Sequence, residues 1–284
     1  MRRLAVDQIM IDAHQHYWNP ARGDYFWMPE DHPVLGKPYG PKDLLPFLDR
    51  HGIAKTVLVQ AADSVAETEY MLGIADVTDS VAGVVGWVDF ENPNDRKQLE
   101  RLAKHPKFKG VRPMVQDIPD VDWMLRDDVQ WGFQALVDLD LTFDALGFPR
   151  HLENFHTILM RYPDMRVVVD HCMKPQIRDR GFDDWAPGIS RLASDTSACI
   201  KLSGIVTEAV DDWTIEDLKP YVDHILGTFG PGRIMWGSDW PVCQLQASYD
   251  RWREVALELT DHLSAAEKAQ VFGGTAEAFY RLSE

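Results

Sequence analysis

Two histidines separated by one residue are the earliest positions in the chain whose types and spacing suggest chemistry. His14 and His16 directly follow an apolar run at residues 9–13. Side chains two apart on a β-strand point to the same face, so a strand through this segment would turn both imidazoles to one side. Imidazole nitrogens bind divalent metals and exchange protons near neutral pH. Isolated pairs of this kind also occur in ordinary turns, so the hypothesis depends on the rest of the chain.

Two later segments place matching side chains after apolar runs. Asp170 closes the run at residues 166–170 and precedes His171, and Asp239 follows the run at residues 233–237. Three imidazoles and a carboxylate offer the nitrogen and oxygen ligands that Zn²⁺ or a similar ion prefers. The same groups could work without a metal, because imidazoles can donate hydrogen bonds to a developing oxyanion while a carboxylate takes a proton from water. The residues leave both chemistries open.

Eight apolar, strand-like runs could position these residues, and segments of helical period separate them. The strands are predicted at residues 9–13, 56–60, 83–88, 110–115, 142–146, 166–170, 198–202 and 233–237. The helices are predicted at residues 42–51, 95–104, 129–139, 152–162, 185–193, 215–229 and 249–259. This alternation, in a chain of 284 residues, predicts an α/β fold of the (β/α)8 TIM-barrel type. No change of composition divides residues 1–284 into two domains.

Three of the predicted strands are followed by long segments, at residues 17–41, 113–126 and 173–184. They are longer than ordinary connections between a strand and a helix. All leave the carboxyl ends of strands, which is the face where barrels of this kind carry their active sites. We therefore expect long loops over a cluster of His14, His16, His171 and Asp239.

The composition indicates a globular protein and argues against several classes of partner. Hydrophobic residues make up 45% of the chain, which is enough for a large core. The 45 acidic and 29 basic residues give a formal net charge of −16, which argues against binding to nucleic acid or to an anionic membrane. Asp7 interrupts the N-terminal apolar stretch, so we expect neither a signal peptide nor a membrane span.

The cysteines bear on the compartment. Three of them, at positions 172, 199 and 243, are widely spaced and form no Cys-x-x-Cys motif. An odd, scattered set favours free thiols in a reducing environment, so we expect a cytoplasmic protein. The sequence leaves the oligomeric state open and is compatible with a homo-oligomer.

Three segments together resemble the signature segments of the amidohydrolase superfamily, in particular its lactonase branch. They are residues 12–18 (DAHQHYW), 170–175 (DHCMKP) and 237–241 (GSDWP), and residues 272–280 are similar to the C-terminal helix of that branch. The resemblance extends over essentially the whole chain. It implies a TIM barrel that hydrolyses the lactone of an aldonic or aldaric sugar acid, such as an L-fucono-, L-rhamnono- or galactarolactone. It also places His14, His16, His171 and Asp239 in the site.

The resemblance bears on the metal as well. Binuclear members carry a bridging lysine or its equivalent on strand four and a histidine on strand five, where this chain has Arg112 and Asp144. A two-metal site is therefore not expected. One divalent ion, with zinc as the first choice, is compatible with the ligands His14, His16, His171 and Asp239. A metal-independent enzyme is equally compatible, because some members of this branch are thought to work without metal.

These roles imply a mechanism. Asp239 acts as general base toward water, and the three histidines, with or without one metal ion, polarise the carbonyl of a small lactone. Asp239 is also the candidate that returns the proton to the leaving ring oxygen. Candidates for substrate binding are polar or aromatic residues at or after strand ends: Trp18, Trp27, Gln60, Trp87, Arg112, Asp144, Lys174 and Trp240. Each has a structural alternative, since tryptophans fill cores and Arg112 could pair with a carboxylate.

Other functions remain open on the sequence. A mononuclear, zinc-dependent decarboxylase of an unsaturated or aromatic acid would share the paired histidines and the late aspartate. A lactone isomerase would use a similar site. A sugar-acid binding protein without catalysis is disfavoured. Such a protein would have no need for three histidines and an aspartate at the mouth of a barrel, where enzymes of this fold carry their active sites. His32 and His151 are held in reserve as additional site residues.

Overall fold

Strands and helices alternate around a barrel in this computed structural model, which describes residues 9–29 and 31–283. The strands are β1 Met10–Gln15, β2 Ile53–Val59, β3 Val81–Gly86, β4 Phe108–Val111, β5 Thr142–Ala145, β6 Arg166–Val169, β7 Cys199–Leu202 and β8 Ile234–Trp236. The helices are α1 Pro41–His51, α2 Val65–Asp76, α3 Arg96–Leu102, α4 Gln130–Asp138, α5 Leu152–Arg161, α6 Phe182–Asp195, α7 Ile215–Phe229, α8 Tyr249–Leu259, α9 Ala265–Ala269 and α10 Thr275–Tyr280. The expectation about a signal peptide concerns residues 1–8, which lie outside the described part.

Each strand pairs in parallel with the next, in the order β1 to β8. Backbone hydrogen bonds then join the end of β1 to the segment that follows β8. The N–H of Asp239 donates to the carbonyl of His14 at 2.8 Å, and the N–H of His16 donates to the carbonyl of Trp240 at 2.7 Å. The architecture is the (β/α)8 TIM barrel that the sequence predicts. Its first and last strands meet next to the candidate catalytic residues His14, His16 and Asp239.

The helix α2 is absent from the sequence-based prediction. Its buried face includes Glu67 and Thr68 beside Met71, Leu72 and Ala75. Two polar residues on the inner face interrupt the apolar spacing by which an amphipathic helix is recognised. Helix α1 shows the opposite case: Pro41 occupies its first turn and Gly52 ends it in a left-handed conformation, as the sequence predicts.

Two layers of apolar side chains hold the barrel together. The larger one lies between the strands and the surrounding helices and includes Leu58, Phe143 and Trp185. A second cluster joins strand residues such as Ile11 and Val168 to the C-terminal helix α10 and Leu282. The hydroxyl of Tyr280 extends from α10 to the buried carboxylate of Asp144, at 2.6 Å. The C-terminal segment therefore completes the packing inside the barrel.

The long segment after β1 folds back over the neighbouring loop. Trp18 pairs with Tyr39 through two backbone hydrogen bonds, and the indole N–H of Trp27 donates to the carbonyl of Ala61 at 2.6 Å. This fixes the segment beside the end of β2. Within residues 9–29 and 31–283, none of the helices combines the length and hydropathy needed to span a membrane.

Candidate active site

Four side chains predicted to meet do lie together at the carboxyl ends of β1, β6 and β8. The Nε2 atoms of His14 and His16 are 3.2 Å apart. Asp239 Oδ1 lies 3.3 Å from Nε2 of His16, 3.7 Å from Nε2 of His14 and 3.9 Å from Nε2 of His171. All four side chains are at most 5% exposed. One carboxylate oxygen thus lies close to three imidazole nitrogens, and all four side chains are buried.

Asp239 is positioned from the opposite end of the chain. The carboxylate of Asp12, on β1, accepts hydrogen bonds from the backbone N–H of Ser238 at 2.8 Å and from the hydroxyl of Tyr249 at 3.1 Å. Asp239 itself has a φ of +55°, in the left-handed region that few residues other than glycine adopt. Burial raises the pKa of Asp12 to about 6, against the hydrogen bonds that favour its carboxylate. Sequence reasoning did not assign Asp12 a role.

His171 opens a run of four non-glycine residues in the left-handed region. The φ values of His171, Cys172, Met173 and Lys174 are 50°, 53°, 60° and 48°. Such residues cost roughly 1–2 kcal/mol each, so the surroundings must hold the turn. The indole N–H of Trp185 donates to the carbonyl of Cys172 at 2.7 Å, and Nδ1 of His171 lies 2.9 Å from Ser203 Oγ.

Gly204 leaves the space that the ring of His171 needs. A Cβ at this position would lie 2.4 Å from Nδ1 of His171, which is closer than carbon atoms approach, and its φ is +62°. Only glycine meets both conditions without strain. The loop after β7 is therefore shaped around the imidazole.

The hydrogen bond that His16 makes to the backbone determines which of its ring nitrogens carries a hydrogen. Nδ1 of His16 lies 2.7 Å from the carbonyl oxygen of Val59. A carbonyl can only accept, so Nδ1 carries the hydrogen and Nε2 presents a lone pair to the pocket.

Lys201 lies beneath this cluster and was missed by the sequence analysis. It is fully buried on β7, with Nζ 2.6 Å from Asp144 Oδ2, 2.9 Å from Asp170 Oδ1 and 3.1 Å from Nδ1 of His14. Burial raises the pKa of Asp144, whereas the charge of Lys201 outweighs burial and holds the pKa of Asp170 well below its ordinary value. A lysine inside the apolar run at residues 198–202 was the available signal, because an unpaired cation is not expected in a buried strand.

Asp144 and Gln60, which the sequence predicts as substrate-binding residues, are fully buried. Asp144 is fully buried and accepts from Lys201, Tyr280 and the hydroxyl of Thr142. Gln60 is also fully buried, and its amide donates to the carbonyl of Arg112 at 2.6 Å. The structure places these two side chains below the pocket, where they support its walls.

The pocket above the cluster has a volume of about 180 Å³. Of the predicted residues, those that line it are His16, Trp18, Trp27, Arg112, His171, Lys174 and Asp239. Arg112 Nη1 is 3.4 Å from Asp170 Oδ2, and Lys174 Nζ lies 5.4 Å from the ring centre of Phe148. The pocket combines two indoles, two cations and the reactive cluster.

Trp87 and Trp240 lie elsewhere. Trp87 lines a neighbouring cavity of about 290 Å³, which shares Trp27, Met114 and Asp117 with the first. Trp240 is buried and packs edge-on against Tyr17 and Tyr39. The reserve histidines are also occupied: Nδ1 of His32 accepts backbone N–H groups within its loop, and that of His151 accepts the N–H of Phe148. Neither lines the pocket.

Burial and nearby charges keep the imidazoles of the three clustered histidines neutral and the carboxylate of Asp239 ionised. Burial lowers the pKa of His171 to about 4, and burial together with the positive charge of Lys201 lowers that of His14. Burial likewise lowers the pKa of His16. Burial alone would raise the pKa of Asp239, but the surrounding imidazoles outweigh it and hold that pKa below its ordinary value. A base facing three neutral imidazoles is the resulting state near neutral pH.

Glu67 is a further buried carboxylate close to the pocket wall. It accepts hydrogen bonds from the backbone N–H groups of Ala61 at 3.0 Å and Ala62 at 2.8 Å. Burial raises its pKa to about 7 despite these bonds. The turn that carries Ala61 is therefore held between Glu67 on one side and Trp27 on the other.

The spacing of the donor atoms suits a divalent ion. Tetrahedral ligands about 2.0–2.1 Å from zinc are separated by roughly 3.3 Å, which is close to the distances from His16 Nε2 to His14 and Asp239. Two groups could supply three ligand atoms each: His14, His16 and Asp239, or His14, Asp170 and His171. His14 belongs to both groups, so the residues fit one ion bound with His14 as a ligand.

Several known proteins are similar to this chain in sequence. The sequence model described as amidohydrolase matches residues 11–282. The chain is 40% identical to a protein of Burkholderia ambifaria named L-fucono-1,5-lactonase, over 96% of this chain and 95% of that protein. It is 35% identical to a protein of the same name from Burkholderia multivorans, over 97% of each chain.

A solved structure is also similar to this chain. An amidohydrolase from Burkholderia multivorans, crystallised with bound zinc, superimposes with a TM-score of 0.89 at 34% identity, covering 96% of this chain and 99% of that one. The match therefore extends over nearly the whole of both chains.

Proposed function

This chain belongs to the amidohydrolase family, and we propose that it opens the lactone ring of a sugar acid by hydrolysis. The observation that carries the proposal is the single oxygen of Asp239 within 3.9 Å of three imidazole nitrogens, at the mouth of a barrel. The two relatives named L-fucono-1,5-lactonase make an aldono-1,5-lactone the first substrate to test.

Asp239 acts as the general base in this proposal. The carboxylate takes a proton from a water molecule as its oxygen attacks the lactone carbonyl. The imidazole cluster excludes bulk water, and burial restricts this carboxylate to one orientation, which favours a productive approach. Asp239 then returns the proton to the ring oxygen as the carbon–oxygen bond breaks, and the product is an open hydroxy acid.

The carbonyl oxygen becomes negative during attack and needs hydrogen-bond donors beside it. We assign this role to Arg112, whose guanidinium lines the pocket beside His16 and His171, together with the imidazoles of His14 and His171. Lys174 and the indoles of Trp18 and Trp27 would contact the hydroxyl-bearing and apolar faces of the sugar ring. The pocket of about 180 Å³ suits a single small ring.

His14, His16, His171 and Asp239 are the residues that would hold a divalent ion. Zinc bound there would polarise the carbonyl as a Lewis acid. The proposal for Asp239 stands with or without the ion, because the chain itself supplies the base and the donors. The three cysteines have no disulfide partner, which supports a proposed cytoplasmic location.

A pH-indicator assay tests the proposal, because ring opening releases an acid. L-fucono-1,5-lactone and a panel of aldono- and aldarolactones are incubated with wild type and with Asp239→Asn, before and after chelation. We expect at least one lactone to open well above background, and the variant to lose about 10²–10⁴-fold in kcat. Failure of every lactone, or full activity in the variant, would contradict the proposal.

Product analysis by NMR separates the alternatives in the same samples. An isomerase would return a lactone of different ring size without acid release. A decarboxylase would leave all lactones unchanged and act on an unsaturated acid only with metal bound.

A further inference from the structure

We infer that the cavity of about 290 Å³ lined by Trp87, here called the side cavity, is a second sugar subsite. The preferred substrate is then a lactone that carries a neutral glycosyl substituent. The inference rests on the proposed function for the lactone half of this substrate. The subsite itself is argued only from the walls of the side cavity.

The side cavity adjoins the reactive pocket and shares part of its wall. Trp27, Met114 and Asp117 line both. The indole N–H of Trp27 donates to the carbonyl of Ala61 at 2.6 Å, which fixes the shared wall beside the end of β2. The reactive pocket, at about 180 Å³, suits one small ring, and the side cavity adds about 290 Å³ next to it. A substituent on the lactone therefore has a defined space to occupy.

Aromatic rings form much of the wall of the side cavity. Trp87 is half-buried, Trp27 is 41% exposed and Phe26 is 87% exposed, and all three line the cavity. Exposed apolar groups that are clustered in this way mark binding sites, whereas single ones do not. The carbon face of a sugar ring packs well against such rings, because it is apolar while its edge carries the hydroxyls.

Two indole N–H groups in this wall have no acceptor in the protein. Within residues 9–29 and 31–283, those of Trp87 and Trp123 are unpaired, although Trp123 is only 3% exposed. Trp236 and Trp240 also lack an acceptor, but their nitrogens are closed off in the core. Since a buried indole N–H normally has a partner, a ligand oxygen in the side cavity would supply the missing acceptor. The other six of the ten tryptophans donate to backbone carbonyls: Trp18, Trp27, Trp131, Trp185, Trp213 and Trp252.

The charged groups in the wall of the side cavity are all acidic. They are Asp63, Asp89, Glu91 and Asp117. Glu91 pairs with Arg126 at 2.7 Å, whereas the other three have no ion pair in the described part of the chain. Uncompensated carboxylates exclude an anionic ligand. Sugar hydroxyls can donate to these carboxylates and accept from the two indoles, which a cation without acceptor atoms cannot do.

The two cavities differ in charge, and this difference orients the substrate. Arg112 and Lys174 line the reactive pocket but not the side cavity. The lactone carbonyl becomes negative during attack and ends as a carboxylate, so it belongs beside these cations. The neutral glycosyl group then lies in the side cavity against Trp87 and Trp27. A lactone without this group leaves the aromatic wall and the two indole donors unused.

NMR of protein with ¹⁵N-labelled tryptophan tests the subsite without any catalysis. The indole signals of Trp87 and Trp123 are assigned from the spectra of Trp87→Phe and Trp123→Phe. The probes are the neutral methyl β-galactoside and methyl β-glucoside, the anionic methyl β-glucuronide, and tetramethylammonium. We expect a neutral glycoside to shift both signals at millimolar concentration and the glucuronide to leave them unchanged. Equal shifts with the glucuronide, shifts with tetramethylammonium alone, or no shifts at all would overturn the inference.

Kinetics test whether the subsite serves the lactone. The lactone hydrolysed best in the pH-indicator assay is compared with its β-galactosyl and β-glucosyl derivatives, one for each free hydroxyl. We expect kcat/KM of at least one derivative to exceed that of the parent lactone about 10-fold or more, and Trp87→Ala to abolish this ratio. Equal or lower kcat/KM for every derivative would refute the glycosylated substrate, whatever the NMR titration shows.

Trp213→Ala is the matched control. Trp213 is also half-buried, but it lines neither cavity, and its indole donates to the carbonyl of Gln246. The ratio of the two kcat/KM values should be unchanged in it. An equal loss of the ratio in both variants would contradict the role of Trp87. If no lactone is hydrolysed, the proposed function fails, while the NMR titration still decides whether the side cavity binds a sugar.

Discussion

The carboxylate of Asp12 accepts a hydrogen bond from the backbone N–H of Ser238 at 2.8 Å. The two residues are 226 positions apart in the chain, yet this bond sets the backbone immediately before Asp239. The same oxygen also accepts the N–H of His14, at 3.2 Å. One buried side chain therefore fixes the relative position of the proposed base and the first imidazole.

Asp12→Ala should impair both activity and folding. It leaves the N–H of Ser238 and the hydroxyl of Tyr249 without a buried partner, which costs about 1–3 kcal/mol for each group. We expect a lower urea midpoint and a loss of at least ~10-fold in kcat. Asp12→Asn is the control, because its amide oxygen can still accept from Ser238. Equal defects in both variants would show that charge, and not the hydrogen bond, is what matters.

The pH dependence of kcat/KM should show which base is used. Asp239 has a lowered pKa, and burial lowers that of His171 to about 4. As pH falls, activity is lost only when these groups take up protons, so the rate should stay level from about pH 8 down to about pH 5 and decline near pH 4 and below. A histidine base with an ordinary pKa would instead give a decline near pH 6.5. Rates corrected for spontaneous lactone opening distinguish the two.

Glu67 should make stability depend on pH near neutrality. Its folded pKa of about 7 lies above its ordinary value of 4.5, so the folded state binds the proton more tightly. The resulting stabilisation is complete below about pH 4.5 and is lost as pH rises through 7, by at most roughly 3 kcal/mol. Urea unfolding at pH 5 and pH 8 should show wild type losing more stability than Glu67→Gln. Parallel curves for the two proteins would contradict the assignment.

Gly204→Ala should damage the site with little effect elsewhere. The added methyl would lie 2.4 Å from Nδ1 of His171, so the ring must shift from its present position 3.9 Å from Asp239. A fall of about 100-fold in kcat is expected, since misplacement by about 1 Å has effects of this size. Gly227→Ala is the control: it lies in α7 with no atom within 4 Å of the new methyl, and should raise the melting temperature slightly. Comparable activities of the two variants would argue against the contact.

The barrel and its central residues could be predicted because both follow from strand-level patterns. Apolar runs identify the strands, and the polar residue after each run marks the face at which Asp239 and His171 meet. The same patterns could not separate Asp144 from those residues. It lies inside the apolar run at residues 142–146 and is fully buried against Lys201 and Tyr280, because depth in a barrel depends on the stagger between strands.

Contacts between residues far apart in the sequence explain why Lys201 and helix α2 were not predicted. Lys201 is tolerable in a buried strand only because Asp144 and Asp170 arrive from two other strands, which no local window contains. The apolar spacing of an amphipathic helix does not identify α2, because Glu67 faces inward and accepts hydrogen bonds from the backbone of the preceding turn. In both cases the polar group is satisfied by a partner that only the folded chain provides.

The hydroxyl that Tyr280 supplies to Asp144 has a consequence for biosynthesis. During translation, all eight strands leave the ribosome before this residue, but the buried charges around Lys201 then lack their last neutral donor. A premature stop codon just ahead of position 280 would release a polypeptide with every proposed reactive side chain present and an unfinished interior. Selection against such truncations should therefore act on maturation of the enzyme and not on its chemistry.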